Sequence, residues 1–376
     1  MRLLWITNVV FGETMNQTTD IGACNSLAKE GWEITLVSPF SEKSNEFLDN
    51  IGYRWFGAKM SSIRGFQSFS LDRGIRDALR ELLSRESFDA AVVNWSVCRG
   101  ASKYLNRHGI PWILDDRSPP VHEDFLGRMQ WFHYFLAWKN GSRNATAFSV
   151  ITPALKDYRE ARFGQNEKIA IWPSAVSPGR FKKAKFPKNG PLRLVYHGLF
   201  DKERGVERIV ELGDLITKGG HNIEILLFGR GNFFEELLVM SESRPWLNVL
   251  GQQQFDDVPE LLSECHIGII PLPDRFQWKF SSPLKMFEYA ASGLTVIATD
   301  IHCHRSIGER RWLRLTNPDI FAEEGLKHFE EIMSERVWER NSEIARKEAL
   351  DDFTWDKATE SLNQLLKEIV DEKTGN

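Results

Sequence analysis

The sequence predicts an α/β protein built from two doubly wound parallel sheets. Three observations predict it. Short apolar runs of strand length alternate with longer segments whose apolar residues fall at helical spacing. The runs are apolar on both faces, as in parallel strands covered by helices on both sides. The alternation stops at a Pro-, Gly- and Lys-rich stretch near the middle of the chain and then starts again.

The chain has 376 residues, of which 42% are hydrophobic and 27% charged. At roughly 150 residues per domain this length gives two or three domains, with enough apolar material for full-sized cores. The net charge of −4, with both signs mixed throughout, argues against a nucleic-acid binder, which is usually basic. Cys24, Cys98, Cys265 and Cys303 are far apart and form no CxxC pair, so a reduced intracellular chain is the simplest reading. The N-terminal "MRLLWITNVVFGET" is too short an apolar run for a signal peptide. No run approaches the roughly 20 apolar residues of a membrane span. The expected location is cytoplasmic.

In order along the chain, residues 1–173 form the first domain. Its strands are "RLLWIT" (2–7), "EITLVS" (33–38), "DAAVVNW" (89–95), "PWILDD" (111–116), "FSVIT" (148–152) and "KIAIW" (168–172). Helical segments such as "IGACNSLAKEG" and "GIRDALRELLS" separate them. Residues 174–191, within "PSAVSPGRFKKAKFPKNGP", have no period and read as an interdomain linker. Residues 192–352 form the second domain, with strands "LRLVYHG" (192–198), "IEILLFG" (223–229), "IGIIPL" (267–272), "TVIAT" (295–299) and "LRLT" (313–316). The tail, 353–376, is an amphipathic helix with a polar end. Two doubly wound domains are expected to face each other across a cleft, with ligands at the carboxyl ends of their strands. Sugar transferases, epimerases and periplasmic binding proteins all fit that architecture, and the missing signal peptide weakens the last.

The segment "SSPLKMFEYAASGLTVIATD" (281–300) narrows the choice. It reads as a helix start, a helix and a buried strand, with Ser282 as N-cap and Pro283 at the first helical position. Lys285 in the first turn is at the unfavourable end of the helix dipole. A bound phosphate reverses the sign of that interaction, so Ser281, Ser282, the following amides and Lys285 are candidates to hold a phosphate or diphosphate. A solvated lysine is the plain alternative. Glu288 is one helical turn further on the same face, among Met286, Phe287, Tyr289, Ala290 and Ala291. A desolvated carboxylate there needs hydrogen-bond donors, which vicinal ribose hydroxyls supply. A simple helix ion pair with Lys285 is the other reading. Gly293 is placed to close the helix before the strand.

These residues resemble the donor-site signature of retaining GT-B glycosyltransferases of family 4, the group 1 glycosyl transferases, in which the segment runs close to "SPLKLFEYMAAGKPVIAT". Other stretches match in the same order: "SVITPALKDYREARFGQNEKIAIWPSAVSPGRF" (149–181), "LVYHGLFDKERGVERIVEL" (194–212), "ILLFGRGNFFEELL" (225–238), "VLGQQQFDDVPELLSECHIGIIPLP" (249–273) and "DDFTWDKATESLNQLL" (351–366). The resemblance covers most of residues 110–370. It implies a GT-B fold of two Rossmann-like domains, with the C-terminal helix packing back on the first. It also implies transfer of a sugar from a nucleotide-diphosphate donor, of the UDP or GDP kind, to a glycan or lipid-linked acceptor hydroxyl. Anomeric configuration is retained, and neither metal nor cofactor is needed. Glu288 then binds ribose, and Ser282, Pro283 and Leu284 approach the diphosphate. The glycine-rich "GLFDKERG" places Gly198 beside the donor, with Arg204 at the family's lysine position.

This chain also departs from the pattern. Leu199 stands where the family has an arginine, and Lys202 or Lys285 are the substitutes for its charge. Phe280 stands where a donor-sugar glutamate is common. Pro173-Ser174-Ala175 replaces a "PNG". The stretch after the first strand, "NVVFGETMNQTTDIG" (8–22), has only Gly12 and Gly22, and between them Asn16, Gln17, Thr18 and Thr19 read as a polar loop that contacts donor or acceptor or is simply solvated. Arg117, in Asp116-Arg117-Ser118, ends a strand and is a candidate catalytic residue with Lys285. A salt bridge to Asp115 or Asp116 is its plain alternative. His122, His304 and Arg305 are lesser candidates, and His302, Cys303 and His304 lack the further ligands a metal needs. The aromatic helical pattern "MQWFHYFLAWK" (129–139) reads first as core packing and second as a surface resting on the inner face of a membrane. Leu199, Phe280 and Ser118 leave the rival reading of a catalytically silent nucleotide-binding or scaffolding partner in a glycan-assembly complex, and a nucleotide-sugar epimerase or hydrolase on the same fold is a third reading.

Overall fold

The computed structural model describes residues 1–13, 17–62, 67–121 and 125–375, without the side chain of Leu126. Asn16 and His122 lie outside the described residues. The chain divides into two compact units, Met1–Pro173 with Trp355–Asn376, and Ser174–Thr354.

The first unit holds a seven-stranded parallel sheet of order β3-β2-β1-β4-β5-β6-β7. The strands are β1 Arg2–Ile6, β2 Glu33–Pro39, β3 Arg54–Ala58, β4 Ala90–Asn94, β5 Trp112–Asp116, β6 Ala147–Val150 and β7 Ile169–Ile171. The second unit holds a six-stranded sheet of order β10-β9-β8-β11-β12-β13. Its strands are β8 Leu192–Leu199, β9 Ile223–Arg230, β10 Leu247–Leu250, β11 Ile267–Ile270, β12 Thr295–Thr299 and β13 Leu313–Thr316. Every pairing between these strands is parallel. The strand order reverses between β1 and β4 and again between β8 and β11, which makes the carboxyl ends of β1 and β8 the expected ligand positions.

The central strands are buried along their length: β4 carries Ala90 to Val93, and β12 carries Thr295 to Thr299. The strands that the sequence pattern does not show, β3 and β10, are the edges of their sheets and only half-buried. An edge strand is covered on fewer sides, so it needs no continuous apolar run.

Residues 174–191 do not hang free between the units but pack on the second. The Val176 N–H donates to Phe353 O (2.8 Å), the Ala184 N–H donates to Ser292 O (2.9 Å), and Val176, Phe181 and Ala184 are buried. The helices after Trp355 belong to the first unit. The indole of Trp355 occupies the space a Cβ at Gly22 would need. Trp32 Nε1 donates to Asn363 Oδ1 (2.8 Å), and Ser361 Oγ donates to Ile171 O (2.7 Å). Gly22 therefore serves helix packing. Gln17, Thr18 and Thr19, expected in a polar loop, instead start the helix Gln17–Lys29, and Gln17 Oε1 accepts the Gly12 N–H at 2.6 Å. The Gln17 side chain reaches back to close the turn that precedes the helix.

Candidate functional site

At the carboxyl end of β8 the backbone turns sharply. Gly198 has φ +119° and Gly229, its partner on β9, has φ +153°, both in the region that favours glycine. A side chain on Gly229 would strike the Gly198 carbonyl. At this pair the two strands carry no side chains, and beyond Leu199 the chain runs into the short turn Lys202–Arg204 and the helix Glu207–Lys218. Gly205, at φ +69°, leaves no room for a Cβ, which would stand 2.6 Å from Pro271 O at the end of β11.

Into this space reaches Lys285, from the first turn of the helix Leu284–Ala291. A Cβ on Gly198 would lie 2.8 Å from Lys285 Cε and 2.9 Å from Nζ. The ammonium sits 5.2 Å from the centroid of the Tyr196 ring. Burial first, and the positive charge of Arg204 second, push Lys285 down to about 7, with Glu288 opposing. Arg204 is held with its guanidinium 4.9 Å from the Trp278 ring centroid and Nε 3.8 Å from Asp201 Oδ2. Two like charges are thus gathered at one strand end, beside the free amides of a helix N-terminus. That arrangement is unfavourable alone and is relieved by an anion.

Glu288 is buried one turn along the same helix, and its Oε2 lies 3.2 Å from His197 Nε2. The His197 ring is fully enclosed, stacked 5.3 Å from Phe228 and edge-on at 5.4 Å to Tyr289. The His197 N–H donates to Tyr289 Oη at 3.3 Å, and Tyr289 packs where Gly268 of β11 has no side chain. The carboxylate position is therefore set by the aromatic packing behind it. The helix ends as expected, with Gly293 at φ +71° and the Leu294 N–H bonding to Tyr289 O at 2.9 Å.

The expected cap is corrected by one residue. Pro283 holds the N-cap position and the helix begins at Leu284. Ser282 does not cap it, because its Oγ accepts the Ser174 N–H at 3.0 Å. That bond ties the start of the second unit to the turn before the helix. The Ser281 N–H is spent on Trp278 O at 3.1 Å. Of the candidate cations, Lys285 and Arg204 come together. Lys202 turns to the surface, 3.1 Å from Glu236 Oε1. Phe280 is buried and Leu199 half-buried. Sequence reasoning passed over two contributors: His197, which looks like an ordinary strand residue, and Trp278, which supports Arg204. Their signal was only their spacing from Gly198 and Ser282.

Arg117 belongs to the other unit, at the carboxyl end of β5. Its guanidinium donates to Trp172 O and lies 3.5 Å from the Trp172 ring centroid. Around it are buried carboxyls. Asp115 accepts from Ser149 Oγ (2.6 Å) and Trp172 Nε1 (2.9 Å), and Asp116 accepts from Tyr134 Oη (2.6 Å) and Trp138 Nε1 (2.8 Å). Asp20, from the first turn of the helix Gln17–Lys29, is hydrogen bonded by Thr7 and Trp5. Burial pushes Asp20 and Asp116 each up to about 7 and Arg117 down to about 10, against the attraction of Asp115, Asp20 and Asp116 for Arg117.

His304 is buried, its Nδ1 2.7 Å from Thr299 O, and burial pushes it down to about 4. Arg305 is exposed and lies 3.1 Å from Asp300 Oδ1. Among the described residues no group of His, Cys, Asp and Glu side chains is placed to hold a metal ion.

Residues 191–330 match the family model described as glycosyl transferases group 1. That match holds the whole Gly198–Arg204–Lys285–Glu288 arrangement. No curated protein sequence matches the chain. Among solved structures, a sucrose-phosphate synthase from Thermosynechococcus elongatus is similar with a TM-score of 0.77 at 15% identity, covering 98% of each chain. A glycosyltransferase from Rickettsia africae has a TM-score of 0.74 at 14% identity, covering 100% of this chain and 99% of its own. HepE of Anabaena, in complex with UDP-glucose, has a TM-score of 0.74 at 11% identity, covering 99% of this chain and 100% of its own. The fold is that of the GT-B glycosyltransferases. Together with the matched segment it supports a glycosyltransferase.

Proposed function

We propose that the chain transfers a sugar from a nucleoside-diphosphate donor to an acceptor hydroxyl, with retention and without a metal ion. The carrying observation is the pairing of Lys285 and Arg204 at the end of β8. When the glycosidic bond breaks, negative charge grows on the departing diphosphate. Lys285, Arg204 and the helix N-terminus at Leu284 meet that charge in a confined, partly dry space, where fixed charges act strongly. They supply the positive charge that a divalent ion supplies in metal-dependent transferases. Glu288, held by the His197–Tyr289 packing, accepts from the ribose hydroxyls of the donor. Gly198 gives the diphosphate close access to the strand end. Arg117 is proposed to act on the acceptor side or to hold the carboxyl end of the first sheet, and the two roles separate by experiment.

HepE is described with UDP and with UDP-glucose, which makes the uridine series the first to try. The acceptor in this reading is a hydroxyl of a glycan or of a lipid-linked glycan. The test is thermal stabilisation by UDP-, GDP-, ADP- and dTDP-sugars and by the free diphosphates, in chelator. A ligand that binds only the folded state raises its stability by mass action. Stabilisation by one series supports the donor site and names the base, and transfer followed by NMR of the product anomer then checks retention. No stabilisation by any of them at millimolar concentration favours the silent-partner reading, which Leu199 and Phe280 motivate. Turnover of donor without acceptor favours the epimerase or hydrolase reading.

A further inference from the structure

The helix Phe125–Asn144 is apolar on two sides. Its inner side, with Tyr134, Ala137, Trp138 and Gly141, is buried in the first unit, and a Cβ on Gly141 would stand 2.5 Å from Leu114. Its outer side carries a second apolar stripe at i, i+4 and i+7. There Phe125 is 75% exposed, Met129 46% and Phe132 66%. A surface helix ordinarily confines its apolar residues to one stripe. Exposed aromatic side chains in a row on the outer stripe therefore call for a partner.

The charges on this side are of one sign. Arg128, Lys139 and Arg143 are exposed at positions that share the outer stripe, and the helix contains no Asp or Glu. The helix Cys98–Arg107 packs beside it, with Asn106 Nδ2 donating to Asn144 Oδ1 at 3.3 Å on the surface. It exposes Arg99, Lys103 and Arg107 and also contains no Asp or Glu. This runs against the chain as a whole, whose net charge is −4. The acids nearest in sequence, Glu123 and Asp124, lie outside the described residues.

We propose that the outer faces of these two helices dock on an anionic lipid membrane surface. The exposed Phe125, Met129 and Phe132 enter the boundary between headgroups and acyl chains, and the surrounding Lys and Arg side chains meet lipid phosphates. Attachment is peripheral, since no helix among the described residues is long and apolar enough to cross a membrane. The inference does not depend on the sugar-transfer reading, because it concerns a different surface and is tested without donor or acceptor.

The experiment is flotation of the full chain with vesicles of phosphatidylcholine alone and of phosphatidylcholine with phosphatidylglycerol, at low and high salt. The expected result is partition into the anionic vesicles at least tenfold above the neutral ones, falling with salt. Combined Arg128→Gln, Lys139→Gln and Arg143→Gln lowers partition about a hundredfold, at about fivefold per charge. Combined Phe125→Ser and Phe132→Ser lowers it more than tenfold with the charge unchanged. Circular dichroism and melting check that the variants fold. A measurement on the unaltered chain covers their failure: brominated anionic lipids quench tryptophan fluorescence where neutral ones do not. The proposal is overturned if the unaltered chain does not float, if neutral and anionic vesicles bind it equally, or if both variants bind like the parent. It is also overturned if Phe125→Ser with Phe132→Ser instead abolishes a dimer of this chain, or if the basic face binds nucleic acid in preference to the vesicles.

Discussion

The Lys285 ammonium occupies the space beside Gly198 so closely that a methyl group on residue 198 would stand 2.9 Å from Nζ. The strand end and the helix start are therefore matched to one another. Gly198→Ala must both displace Lys285 and place an L-residue at φ +119°. The expected outcome is a loss of at least tenfold in diphosphate affinity by calorimetry, with binding of the free nucleoside little changed. Equal weakening of both would mean a general distortion of the site.

Lys285→Met removes a charge-assisted contact of about 1.5–3 kcal/mol, a loss of roughly tenfold to a hundredfold in affinity for nucleoside diphosphates. The pH dependence is more specific. The free amine is pushed down to about 7, and a bound diphosphate favours its protonated form. Binding above pH 7 thus takes up a proton, and affinity falls as pH rises from 7. Calorimetry in two buffers of different ionisation enthalpy reads the uptake directly. In Lys285→Met the uptake and the fall are both lost.

Glu288→Gln keeps the shape and replaces one acceptor oxygen by a donor. Ribonucleotides are expected to bind roughly tenfold more weakly, while 2′,3′-dideoxynucleotides bind much as before. Competition titrations with the matched pair of ligands decide it. If both ligands weaken alike, Glu288 positions His197 instead of touching ribose.

The two strands that the sequence pattern hides show what was legible. Central strands such as β4 and β12 announce themselves as unbroken apolar runs because helices cover both faces. Arg54–Ala58 and Leu247–Leu250 are edges, half in water, and their mixed composition resembles a loop. The segment 174–191 is hard to read from sequence for a related reason. Val176, Phe181 and Ala184 are buried singly, with no period to reveal them. In the site, Lys285 and Glu288 were legible because a cation at a helix start and a carboxylate in an apolar turn each conflict with local preference. His197 and Trp278 conflict with nothing locally, since their roles come from neighbours far apart in sequence.

Arg117→Met removes the bond to Trp172 O, the stacking on the Trp172 ring and the positive charge that attracts the buried Asp115, Asp20 and Asp116. Losing a hydrogen bond made by a charged group destabilises by about 1.5–3 kcal/mol. Chemical denaturation should show that loss, with Arg117→Lys recovering part of it. If Arg117→Lys melts like the parent but its kcat falls more than a hundredfold, the side chain acts on substrate.

Asp20 gives a pH signature of opposite sense to an ordinary surface carboxylate. Its folded-state value, about 7, lies above the usual value near 4. The folded chain therefore keeps a proton that the unfolded chain releases, and stability is lost as pH rises from about 4 through 7. Asp20→Asn should gain on the parent across that window, and the two should converge below pH 4. Calorimetric melting at pH 4, 6 and 8 checks the sign.

The chain leaves its first unit at Pro173 and returns to it at Trp355. In topological terms the second unit is an insertion into the first, joined by a pair of covalent crossings. The ribosome must then finish the entire inserted unit before Trp355, which packs on Gly22, and the helix Glu360–Thr374, whose Asn363 holds Trp32, exist. Until that moment β4, β6 and β7 lack the helix Glu360–Thr374 that packs against them. A stop codon directly after Thr354 would leave Lys285, Arg204 and Glu288 intact, yet remove Trp355 and the helices that follow it from the first unit. The resulting chain should retain nucleotide binding only to the extent that the inserted unit folds by itself.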